Sequence, residues 1–165
     1  MNSNVESGIL AFLTEQLGAV DVAHGAGENK ITITRAIVGG KHAQLLAATG
    51  DASIAEPLAK ICVKSDGAKI DASDATEQLW LTTLEIMVAT PRRSPDYDEA
   101  AHRAFTAAVR AVIIAANQSD IAAALSGFGI SACNSWYFAG APDQHTAGHW
   151  ITLLRYDPFG FTVTL

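Results

Sequence analysis

The residues best placed by type and spacing to do chemistry are His145 and His149, four apart, with Asp143 two positions before the first. Two imidazoles at that spacing converge on one metal ion when they share a helix face, and a neighbouring carboxylate could complete the set. Here Thr146-Ala147-Gly148 weakens any such helix, and the glutamate of a zinc-hydrolase helix is missing. The pattern therefore reads first as solvent-exposed loop histidines, and second as a metal or small-ligand site built from the 139–149 loop. His24 and His42 lie beside glycines in expected loops, and His102 falls on the polar face of a helix beside Arg103. None has a sequence-adjacent partner, so each is expected at the surface.

Other chemical signatures fail on their residues. Gly25-Ala26-Gly27 lacks the third glycine of a dinucleotide fingerprint, and Gly39-Gly40-Lys41-His42 lacks the upstream glycine and the hydroxyl of a phosphate-binding loop. No Gly-x-Ser-x-Gly pentapeptide occurs, so a hydrolase of the nucleophile-elbow type is excluded. Asp71 and Asp74 fall in a polar turn without calcium-loop spacing, and Asp96, Asp98 and Glu99 are explained as charges at a helix start. No catalytic, cofactor-binding or metal-binding residue is assigned, and the chain does not read as an enzyme.

Charge narrows the partners. Seventeen acidic against 11 basic residues give a net charge of -6, and the bases are scattered apart from Arg92-Arg93. Nucleic-acid binders need several Lys or Arg tracking phosphates, so nucleic-acid recognition is not expected. No apolar run approaches the roughly 18 residues of a membrane span, and the N-terminus lacks a basic leader, so a soluble protein not exported by that route is expected. Cys62 and Cys133 lie far apart in apolar segments and are expected as two buried, reduced thiols. With 165 residues, one domain spanning 1–165 is the expectation. Charged residues make up 17% of the chain, few enough that part of the surface is expected to be covered by another subunit.

The elements that must position these residues follow from periodicity. Val5, Ile9, Phe12, Leu13 and Leu17 form one stripe, which predicts a helix over 4–17 with Ser3 and Glu6 as a capping box. Residues 30–38 alternate as a strand, 39–56 form an insertion without a clear pattern, and Asp66-Gly67 marks a turn in the polar stretch 64–76. The strongest strand runs over 77–89, with Trp80, Thr82, Leu84, Ile86 and Val88 on one side and Leu79, Leu81, Thr83, Glu85 and Met87 on the other. Pro91 to Pro95 stops it and opens a helix that runs to 116, with Ala101, Phe105, Val109 and Ile113 on its buried side. A short helix capped by Ser119 follows, then a strand over 130–138, a loop over 139–148, a strand over 149–156, a turn at Asp157-Pro158-Phe159-Gly160 and a last extended piece. Helices grouped against hairpin-like strands predict an α+β fold: an antiparallel or mixed sheet with one long and one N-terminal helix packed on it.

The order of these elements, with the segment Leu79-Trp80-Leu81-Thr82-Thr83-Leu84-Glu85-Ile86-Met87-Val88, the Pro-marked break, the alanine-rich helix and the ending Trp150-Ile151-Thr152-Leu153-Leu154-Arg155-Tyr156, resembles the tail-terminator and minor tail proteins of long-tailed bacteriophages. The likeness covers residues 5–156 and rests on pattern, without a diagnostic motif. It implies a non-enzymatic α+β subunit that closes into a ring, typically a hexamer, capping the tail tube and meeting a head-tail connector or neck protein, in a virion assembled in the host cytoplasm. It carries over no catalytic residue and no cofactor. From the residues themselves, the surfaces expected to meet sister copies are Leu79, Leu81 and Met87 on the second face of the long strand, Arg92 and Arg93 after it, and Ala107, Ala111 and Ile114 on the small-residue stripe of the long helix. The alternatives are a small adaptor that binds one partner as a dimer, and a ligand-binding domain using Asp143, His145 and His149.

Overall fold

The computed structural model describes residues 2–17, 35–38, 60–91, 99–145 and 148–165. In chain order these form α1 (Asn2–Leu17), β1 (Arg35–Val38), β2 (Lys60–Ser73), β3 (Glu77–Pro91), α2 (Glu99–Ala115), α3 (Gln118–Ser126), β4 (Ala132–Gly140), β5 (Asp143–His145) and β6 (His149–Thr164). The strands make a six-stranded sheet in the order β1-β2-β3-β6-β4, with β5 also paired to β6. Only β1 and β2 run parallel; all the other pairs are antiparallel. The expected α+β class is what the structure has.

One face of the sheet carries the helices. Alternation in β3 sends Leu84, Ile86 and Val88 to that face, where they meet Ile61 and Val63 from β2 and Leu154, Tyr156, Phe159 and Phe161 from β6. The helices answer with the stripes expected from their spacing: Val5, Ile9, Phe12 and Leu13 of α1, Phe105, Val109 and Ile113 of α2, and Ile121 and Leu125 of α3. Phe105, Phe159 and Phe161 are among the largest fully enclosed side chains. Each contributes about 1.5–3 kcal/mol relative to exposure. Gly8 lets α1 lie close on α3, because a Cβ there would overlap the Leu125 side chain. A smaller cluster of Met87, Ala89 and Ile151, with Leu153 against it, lies on the other face.

Several local expectations are corrected, each because tertiary contacts outweigh a short-range signal. Ser3 and Glu6 do not form a capping box: α1 begins at Asn2, and the buried Glu6 carboxylate instead accepts the Ser65 N–H at 2.8 Å, tying α1 to β2. Asp66-Gly67 is not the turn. Gly67, at φ 67, sits in an irregularity inside β2, and Thr82 donates its hydroxyl to the Asp66 carbonyl there. The chain reverses at Asp74, whose Oδ1 accepts from Thr76 N, Thr76 Oγ1 and Glu77 N, which holds its carboxyl below the ordinary carboxylate range. The short helix is capped by Asn117 rather than Ser119, in a reciprocal box with Asp120. Nor does Asp157-Pro158-Phe159-Gly160 turn the chain. β6 continues to Thr164, because Phe159 and Phe161 both enter the core, and the surplus residues bulge opposite Thr83. The expected strand over 30–34, the 39–56 insertion and the Arg92-Arg93 loop lie outside the described residues.

Candidate functional site

The polar feature of the described core is a chain of side chains centred on His102. Expected on the polar face of its helix, His102 is 4% exposed, wedged between α2 and the sheet. Its Nδ1 lies 2.9 Å from Thr90 Oγ1 of β3, and its Nε2 lies 2.9 Å from Thr152 Oγ1 of β6. Thr152 in turn donates to Asp143 Oδ1 of β5 at 2.5 Å. A hydroxyl has one proton, so with Thr152 donating to Asp143 the ring must donate from Nε2 to Thr152, and a neutral ring then accepts from Thr90 at Nδ1. That arrangement needs neutral imidazole. Burial supplies the same preference, lowering the His102 pKa from its ordinary value; Asp143 works against this, Arg103 with it, and Glu99 against it. The chain joins α2, β3, β6 and β5, the last only three residues long. Thr90 is fully enclosed, so no ligand reaches that end of the array, which clips α2 to the sheet.

At Thr152 and Asp143 this clip opens onto the surface. An open cleft of about 510 Å³ runs along the outer side of α2, walled by Ala107, Ala111, Ile114, Ala141 and Leu154 and edged by Arg103 and Arg110. Arg103 pairs with Glu99 one helical turn back. The Arg110 guanidinium instead lies over the Phe138 ring, 4.1 Å from its centroid, and among the described residues it has no acidic partner. Phe138 packs edge-on against Tyr156. Burial pushes the Tyr156 phenol up to about 12, with Arg110 pulling it down. Thr106 Oγ1, in the cleft lining, is buried without a hydrogen-bond partner, and so is the Tyr156 hydroxyl.

Of the surfaces expected from the sequence, Ala107, Ala111 and Ile114 come together in this cleft, with Ile114 65% exposed. Leu79 and Leu81 are half-buried on the opposite face of the sheet, near the β2–β3 reversal. Met87, expected at an interface, is corrected: it is fully enclosed within its own chain, in a cluster with Ala89, Ile151 and Leu153. Arg92 and Arg93 lie outside the described residues. Residues 139–145 do not form a free loop. Leu153 N donates to the Pro142 carbonyl, and β5 pairs with β6 from Asp143 opposite Thr152 to His145 opposite Trp150. Among the described residues no three His, Cys, Asp or Glu side chains converge as a ligand set, and the His145 side chain is not among those described. Cys133 is a free, buried thiol raised to about 12 by burial, as expected for a packed cysteine.

The His102 clip was missed by sequence reasoning, though a signal existed. His102 precedes Phe105, Val109 and Ile113 by three, seven and eleven positions, so it belongs to the buried stripe as much as to the polar arc. Thr90 and Thr152 also fall on the inward-facing positions of their strands, two residues beyond Val88 and before Leu154. Comparison with protein-family models gives no match for this sequence, and comparison with curated proteins gives none either.

Proposed function

We propose that this protein is a structural subunit that works by self-association, a ring-forming protein resembling phage tail terminators. On this reading a closed ring, with six copies the expected number, caps a tail tube and offers its other side to a head-tail connector or neck protein. The observation that carries the reading is the cleft on α2: Ala107 and Ala111 let another chain approach the helix backbone, and Ile114 remains largely exposed beside them. Exposed apolar surface flanked by charged residues is the usual composition of a protein contact. The mechanism is geometric. A repeated contact that closes after a fixed number of copies leaves no free end for further growth.

Negative-stain images and light scattering of the purified chain test this. Closed rings in wild type, lost in Ile114→Asp with the helical circular dichroism retained, support it. A wild-type chain that stays monomeric from micromolar to millimolar concentration overturns it. A second reading, a small-ligand site in the same cleft, is favoured by the unpartnered Thr106 hydroxyl beside Asp143 and Thr152. A stoichiometric bound ligand or metal in the purified protein, lost in Asp143→Asn, would select it.

A further inference from the structure

Four of the five large exposed apolar side chains among the described residues, all but Tyr137, fall into two patches toward opposite ends of the strands. Ile114 and Phe138 lie at the α2 cleft and beside Arg110, while Ile70 and Leu165 lie at the β2–β3 reversal, where Leu165 N donates to the Thr76 carbonyl. β3 connects the two regions, from Glu77 at the reversal to Val88, which faces Thr152 of the cleft lining. At about 3.3 Å per residue that separation is about 35 Å. The far half of β2 projects: its residues from Asp66 to Ser73 are exposed, apart from a half-buried Ala68, whereas Ile61, Val63 and Ser65 are enclosed.

The two ends also differ in charge. The reversal carries Asp71, Asp74 and Glu77, all exposed, against Lys69; the nearby Asp66 is already paired with Lys64. At the cleft, Arg103 is paired with Glu99 and Asp143 accepts from Thr152, while Arg110 lies over Phe138 without a carboxylate partner among the described residues. A carboxylate delivered next to an apolar side chain would satisfy both parts of this cleft at once, and such a charge-assisted pair is strengthened where the wall excludes water. The projecting end offers that combination, with Ile70 47% exposed beside Asp71.

We infer that the α2 cleft receives the β2–β3 hairpin end of a second copy of this chain, with Arg110 meeting its carboxylates and Ile114 packing near its Ile70. Because the two patches sit at opposite ends of one molecule, the contact is head-to-tail, the type that repeats and can close into a ring rather than stop at a dimer. The inference rests on the self-association reading and specifies which surfaces carry it.

A charge swap in the full chain tests it. Arg110→Glu and, separately, the double variant Asp71→Lys/Glu77→Lys are each expected to weaken assembly at least tenfold in sedimentation velocity, with circular dichroism unchanged. An equimolar mixture of the two is expected to reassemble, since each supplies the face that complements the other. Introducing Ala75→Cys and Ala107→Cys together is expected to yield a ladder of disulfide-linked chains under mild oxidation. Variants that assemble like wild type, or folded variants whose mixture stays dissociated, overturn this contact while leaving self-association standing. A wild-type chain that never assembles removes both.

Discussion

Replacing His102 separates the clip from ordinary packing. In His102→Leu at pH 7.5, Thr152 keeps Asp143 as its acceptor, but the fully enclosed Thr90 hydroxyl loses the ring at 2.9 Å. Leaving a buried hydroxyl without a partner costs about 1–3 kcal/mol, and the apolar replacement recovers only part of it, so a net loss of about 2 kcal/mol is expected. For a chain of this size that lowers the melting temperature by about 4–8 °C. The pH dependence carries the sharper test. Burial depresses the folded-state pKa of His102 below its unfolded value, so the unfolded chain binds the proton more readily. Stability from this group is therefore complete above about pH 6.5 and falls as pH drops through the folded value, by at most about 1.4 kcal/mol per pH unit inside that window. The gap between wild type and His102→Leu should narrow from pH 7.5 to pH 5 in urea melts. His102→Gln, which keeps a donor and an acceptor but does not titrate, should retain more stability at pH 7.5 and show the same weakened pH slope. A gap of equal size at both pH values, or a His102→Leu variant as stable as wild type, would refute the neutral-imidazole clip.

Two further outcomes follow from the packing. Gly8→Ala should lower stability by about 1–2 kcal/mol in denaturant melts despite alanine's better helix propensity, because the added methyl meets Leu125, itself fully enclosed; equal or greater stability would mean that α1 does not approach α3 this closely. Cys133, raised to about 12, should resist alkylation in the native protein at pH 8 and react once unfolded, read by peptide-level mass spectrometry; rapid native labelling would contradict its enclosure.

Elements long enough to show a period were legible in the residues alone. The α1 and α2 stripes and the two-sided alternation of β3 appear in the fold as their spacing predicts, because a buried face repeats every 3.6 or every two residues wherever the chain lies. Short-range punctuation was less dependable. Asp66-Gly67 and Asp157-Pro158 both read as turns, yet one sits in an irregularity of β2 and the other in a bulge of β6, since pairing along β3 and burial of Phe159 and Phe161 outweigh a local turn preference.

The α+β class, the apolar faces and the grouping of Ala107, Ala111 and Ile114 on one side of a helix can be read from the residues alone. That His102 is buried between two threonines, that Glu6 serves β2 rather than its own helix, and that Met87 is enclosed while Ile114 is not all depend on how the elements assemble. The physical reason is range. Periodicity reports what one element buries, whereas the polar partners of His102 and Glu6 come from 12 to 59 positions away and, like the cover over an apolar side chain, depend on which strands and helices meet.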